Sequence, residues 1–199
     1  MRISLVALAL LAVLSINGCN SAPSNAELAA SGRSLPQLDL PRYMGRWYVI
    51  ANIPYFAERG FVGSYSQWTL REDSTDQGAI IIRDEFFGRK KSFDTEFSRH
   101  EFVDRVVPDS GNAHWRVRLF WPIYVSQLTL YVDPDYQYTL VGLDSKNYGW
   151  IFARSPDISD EKYQELLGRF GAMGYDTTLF KRVPQRAEQI GQPGFADVD

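Results

Sequence analysis

The chain has 199 residues, a formal net charge of −3, and 45% hydrophobic and 14% aromatic residues. That is enough apolar mass for one domain with its own core, and the scattered Lys and Arg residues, with no basic run longer than Arg89-Lys90-Lys91, argue against nucleic acid as a partner. The lone Cys19 excludes an intrachain disulfide, and His100 and His114 stand apart, so no metal and no cofactor is expected.

Residues 1–18 read as an export signal. Arg2 supplies the charge, and ISLVALALLAVLSI (3–16) is an apolar stretch of signal-core length, too short for a membrane span. The next residues, SINGC, resemble the lipobox of bacterial lipoproteins, with Ile16 two places before Gly18 and Asn17 where Ser or Ala is more usual. In that family the cysteine receives a diacylglyceryl group and the chain is cut just before it. The resemblance therefore implies a lipidated Cys19 as the mature N-terminus, and Asn20 rather than Asp behind it implies sorting to the outer membrane. The alternative is an ordinary secretory signal with a chance cysteine. Several acyl chains anchor a protein stably where one does so only marginally. Residues 19–38 are rich in Ser, Ala, Pro and Asn, have no periodicity, and read as a flexible tether.

Beyond Pro41 the pattern is β-like. The segments 45–53, 63–73, 78–87, 92–103, 113–121, 126–133, 136–144 and 148–155 are rich in aromatic and β-branched residues and are separated by Gly, Pro, Asp and Asn. In AHWRVRLFW, Trp115, Val117 and Leu119 alternate with His114, Arg116 and Arg118. Eight short strands of this kind predict an antiparallel sandwich or an up-and-down barrel. One helix follows. Ser159 is its expected N-cap, Asp160 and Glu161 fill its first turn, and Gly174 ends it. Tyr163, Leu166, Leu167, Phe170 and Met173 form one stripe. Such a stripe needs a wall to lie on, and a barrel's outer surface offers one. The reading is all-β: an eight-stranded antiparallel up-and-down β-barrel with one C-terminal α-helix packed outside. Residues 184–199 read as a loosely ordered tail.

Three motifs in order resemble those of the lipocalin family, specifically its bacterial outer-membrane lipoprotein branch. They are G-x-W at Gly45 and Trp47, VDPDYQYTLVG with Asp133, Tyr136 and Tyr138 in the turn between the sixth and seventh strands, and the basic Arg154 after the last barrel strand. The likeness covers residues 39–183, taken as the domain. It implies that Trp47 closes one end of the barrel with Arg154 laid across its indole, a cation–π contact of roughly 0.5–2 kcal/mol. Gly45, Trp47 and Arg154 are thus expected to be structural.

Phasing the strands from the family pattern gives an inward set. It comprises Ser64, Ser66, Trp68 and Leu70 from the second strand, then Ile80, Ile82 and Asp84 from the third. The fifth adds Trp115, Val117 and Leu119, the sixth Leu128, Leu130 and Val132, and the seventh Tyr138 and Leu140, with Tyr55 and Phe56 at the rim. Each of these residues also fits a plain packing role, and Trp68 and Trp115 could fill the interior. Asp84 tests the phase: an inward carboxylate is costly unless paired, hydrated or protonated. No G-x-S-x-G, H-E-x-x-H or phosphate-binding glycine loop is present, so no catalysis is expected. The resemblance implies a lipid-anchored outer-membrane protein, its domain in the periplasm, that binds fatty acids, lysophospholipids or similar amphiphiles for lipid storage, transport or membrane maintenance. The alternative is a carrier of a pigment, haem or other hydrophobic molecule. A filled structural barrel and an isomerase or synthase on the same fold are further readings, and a homodimer is left open.

Overall fold

The computed structural model describes residues 35–71, 80–120 and 123–198. The signal segment, Cys19 and most of the tether lie outside the described residues. A four-residue helix, α1 (Leu40–Tyr43), precedes the strands. Asp39 caps it by accepting from the Arg42 amide at 3.2 Å, and Pro41 sits in its first turn, where its missing N–H costs nothing. The strands follow in order: β1 (Gly45–Asn52), β2 (Phe61–Leu70), β3 (Ile81–Lys90), β4 (Phe97–Val106), β5 (His114–Phe120), β6 (Ile123–Val132), β7 (Tyr138–Leu143) and β8 (Gly149–Ala153). Each pairs antiparallel with the next, and β1 pairs with both β2 and β8, which closes the barrel. The expected barrel is therefore present.

Two details of the strand reading change. The β3–β4 hairpin turns later than expected, at residues 91–96. There Lys91 takes φ 66° and the Thr95 hydroxyl donates to the Lys90 and Ser92 carbonyls. The fold also begins before residue 39, since Leu38 is buried and its amide donates to the Gly111 carbonyl at 2.8 Å.

After β8 the helix α2 (Asp160–Ala172) starts on Ser159, whose hydroxyl accepts from the Lys162 amide at 3.2 Å. It buries Tyr163, Leu166 and Phe170 against Ile50, Leu140 and Ile151 on the outer wall. The wall is shaped for it. At Gly142 a methyl group would meet the Tyr175 hydroxyl at 2.2 Å, so glycine is the residue that lets the segment after α2 dock.

This outer packing corrects the phase expected for two strands. Leu128 pairs with Gly142, whose missing side chain faces Tyr175, so Leu128 points outward. Leu130 sits at a register shift between Thr129 and Tyr131 and packs with the α2 cluster. Tyr138 and Leu140 belong to that cluster too, and the Lys162 ammonium lies 5.1 Å from the Tyr138 ring centre. Thr129, Val141 and Thr139 point inward instead: Val141 joins the interior cluster and both threonine hydroxyls bond the buried Tyr43 hydroxyl. The bulge at Leu130 restores Val132 to the inside.

The C-terminal segment is not loosely ordered. A two-residue strand, β9 (Lys181–Arg182), pairs with Ala51 and Asn52 of β1. The Pro184 carbonyl accepts from the Gly63 amide at 2.7 Å, and the Gln185 side-chain amide donates to the carbonyls of Val49 (2.8 Å) and Ser64 (3.0 Å). Residues 181–185 thus fill the gap where β1 and β2 diverge. Beyond them the Ala196 amide donates to the Arg182 carbonyl at 2.8 Å. Every described element of the barrel lies within residues 35–198, so a chain starting at residue 20 contains all of them.

Candidate functional site

One end of the barrel is shut by side chains. Tyr43 of α1 stacks on Trp68 with ring centres 5.2 Å apart and meets Trp47 at 5.3 Å and Trp115 at 5.8 Å. The Trp47 indole N–H donates to the Tyr43 carbonyl at 2.7 Å. Across the outer face of Trp47 lies the Arg154 guanidinium, 3.8 Å from the ring centre. It donates to the carbonyls of Arg46 (2.7 Å), Arg42 (2.8 Å), Met44 (2.8 Å), Tyr43 (3.2 Å) and Tyr136 (3.3 Å). Gly45 has φ +99°, and a Cβ there would stand 3.2 Å from Arg154 Nη1. The glycine of G-x-W is thus required twice, by its backbone and by the arginine beside it. Asp133 holds the β6–β7 turn by accepting from the amides of Gln137 (2.7 Å) and Tyr138 (2.5 Å).

Above this plug the barrel holds a cavity of about 460 Å³, open at the other end. That is within the range of small-molecule pockets, roughly 300–1,000 Å³. Phe86, Phe102, Val117, Val125 and Phe152 line its sides, and Trp68 and Asp84 form its floor. Tyr55, Phe56, Ala57 and Glu58, from the loop after β1, reach over the mouth with Leu119. Phe56 is 85% exposed and Leu119 45% exposed, so apolar surface rims the opening.

The residues expected to face a ligand divide into three groups. Tyr55, Phe56, Ser66, Trp68, Asp84, Val117 and Leu119 line the cavity. Ile82 and Trp115 face inward but are packed into the closed end, while Ile80, 39% exposed, lies before β3 and off the cavity. Leu128, Leu130 and Tyr138 are on the outer wall, as described above. The sequence reading missed Glu58, Gln127, Tyr148 and Trp150, and the β4 row of His100, Phe102 and Asp104. The period of two in SRHEFVD was available for that row, but polar residues on both faces gave it no phase.

Three carboxyl groups are buried in or beside the cavity. Glu58 accepts from the Trp150 indole N–H at 2.9 Å and from the Asn52 side-chain amide. Its loss of water pushes its pKa up, and these hydrogen bonds oppose the rise. Asp84, 8% exposed, faces inward opposite Trp68. Burial pushes it up to about 7, helped by the negative charges of Glu58 and Glu85 and opposed by the polar edges of Trp68 and Ser66. Asp104 follows Phe102 on the same inner row, diagonal to Asp84, and is fully buried. Burial first, and the Asp84 charge second, hold its pKa well above the usual range. Among the described residues no group of three His, Cys, Asp or Glu could hold a metal ion.

A family profile described as a lipocalin-like domain matches residues 38–185. Temperature-induced lipocalin-1 of Arabidopsis thaliana is 31% identical over 74% of this chain and 80% of its own length. The outer membrane lipoprotein Blc of Escherichia coli K12 is 29% identical over 74% of this chain and 79% of its own, and that of Vibrio cholerae 24% over 86% and 93%. Among solved structures, lobster apocrustacyanin A1 superposes with a TM-score of 0.56 at 16% identity, covering 75% of this chain and 81% of its own. Insecticyanin from the tobacco hornworm gives 0.54 at 15%, covering 76% and 82%. With a barrel shut by a tryptophan–arginine clasp and a profile match across nearly all of it, the chain belongs to the lipocalin family, and bacterial outer-membrane lipoproteins are among its relatives.

Proposed function

We propose that this lipocalin is a non-catalytic carrier of amphiphiles, such as fatty acids or lysophospholipids, held by acyl groups on Cys19 at the outer membrane with its barrel in the periplasm. The observation that carries this reading is the apolar cavity, closed below by a tryptophan plug and open above through an apolar rim. Burying an acyl chain there contributes about 0.8 kcal/mol per CH₂. The similarity to Blc, an outer membrane lipoprotein by name, and the SINGC sequence support the anchor and the location. A pigment or haem carrier is the second reading, favoured by His100 on the cavity wall, and a coloured preparation supports it.

The test is a chain of residues 20–199, purified from cells and examined by native mass spectrometry and lipid extraction. Co-purified amphiphiles, and displacement of a fluorescent amphiphile at micromolar concentrations, are expected. An empty barrel that displaces nothing overturns the reading. The anchor has its own test: Cys19→Ala in the full chain is expected to move the protein from the membrane fraction to the soluble periplasm, and continued membrane retention counts against it.

A further inference from the structure

The cavity carries acids and few bases. Glu58 and Asp84 line it, Asp104 lies beside Asp84 on the same inner face, and no lysine or arginine is among the described lining residues. Glu58 is satisfied by Trp150 and Asn52. The others are not: Asp84 Oδ1, both Asp104 carboxyl oxygens and Trp68 Nε1 are buried with no hydrogen-bond partner among the described residues. A buried polar atom without a partner costs about 1–3 kcal/mol. Three of these atoms are carboxyl oxygens at and beneath the floor of an open cavity, and a ligand that donates to them recovers part of that cost; the Trp68 indole N–H, itself a donor, stands opposite Asp84. A carboxylate cannot, because it would meet three acids and no fixed cation. An ammonium group can, since it brings three donors and the missing charge.

We propose that the floor of the cavity is a subsite for an ammonium head group, so that a long-chain amine enters head first, its N–H groups bonded to Asp84 with Asp104 behind. The chain then runs upward between Phe86, Phe102 and Val117 toward the mouth. This rests on the reading of the cavity as an amphiphile site and narrows it to cationic head groups, in place of the fatty acids named there. Binding requires Asp84 as its carboxylate, so the proton of the free acid leaves to solvent. The titratable groups that act on Asp84 are Glu58 and Tyr55 from the mouth loop, Asp104 from β4 and Glu85 on its own strand, and His100 and Tyr148 stand elsewhere on the cavity wall.

The test titrates the chain of residues 20–199 with dodecylamine, dodecanol and dodecanoate below their micelle concentrations, by displacement of a fluorescent probe. Dodecylamine is expected to bind at least about tenfold tighter than dodecanoate, and to tighten by about tenfold between pH 6 and pH 8 as Asp84 ionises. In Asp84→Asn its affinity is expected to fall by about tenfold while that of dodecanol holds within about threefold. Dodecanoate binding as tightly as the amine, or an amine affinity indifferent to Asp84→Asn, overturns the subsite. Dodecanol separates the two levels. If it binds while the amine gains nothing over dodecanoate, the subsite alone fails; if none of the three binds, the carrier reading fails with it.

Discussion

Replacing Arg154 with alanine lowers the unfolding free energy of the barrel by about 3–5 kcal/mol, read from urea unfolding followed by tryptophan fluorescence. The guanidinium is the single donor group on which the carbonyls of Arg42, Tyr43, Met44, Arg46 and Tyr136 converge. These carbonyls belong to α1, to the start of β1 and to the β6–β7 turn, so one side chain ties three separate segments across the closed end. Truncation leaves the less exposed carbonyls of Met44 and Tyr136 without a donor, leaves that of Tyr43 to the Trp47 indole N–H alone, and uncovers the indole face. Carbonyls nearer the surface regain water, which keeps the loss below the sum of the five bonds. Lysine restores the charge but not the fork, so Arg154→Lys recovers less than half of the loss. A change below about 1 kcal/mol in Arg154→Ala would show that the clasp adds little to the plug of aromatic rings beneath it.

The second large effect is a gain. Asp84→Asn stabilises the ligand-free barrel at pH 8 by about 2–4 kcal/mol and by almost nothing at pH 4. Asp84 is raised to about 7 in the folded state, chiefly by burial, while the unfolded chain releases the same proton near 3.9. Between those values the folded state binds more protons than the unfolded state, so stability falls as pH climbs, and the full loss is present above pH 7. Asparagine has no proton to lose and escapes that slope. Glu58 and Asp104 are shifted in the same direction, so the unaltered protein should itself lose stability steadily from pH 4 to pH 8. Urea midpoints of both proteins across this range check the claim. An Asp84→Asn barrel weaker than its parent at pH 8 would mean that the ionised carboxylate is better solvated than its burial implies.

What the sequence disclosed depended on how differently the two faces of an element are treated. β5 was phased correctly because Trp115 and Val117 face the interior while Arg116 and Arg118 face water. Gly45, Trp47 and Arg154 were legible because a motif fixes both their types and their spacing. β7 was misphased because both its faces are apolar: Val141 meets the barrel interior and Leu140 meets α2. Alternation carries no information where water touches neither side. β6 added a bulge at Leu130, which shifts phase by one residue in mid-strand and leaves no mark in composition. Asp84 was placed on the inside, as the pattern of β3 required. Its neighbour Asp104 was not, because its strand mixes charge on both faces. Glu58 lies in a loop, where no period exists to say which way a side chain turns.

The gap between β1 and β2 is sealed by Pro184 and Gln185, and this ties folding to the order in which the chain is made. β1 and β2 precede the other barrel strands in the chain, and the residues that complete their join follow all of them. Through most of translation the nascent polypeptide therefore has neither β8 nor the C-terminal segment with which to complete its sheet. Contacts between such distant parts of a chain form slowly. A barrel built this way can seal that gap only once residues 184 and 185 are present.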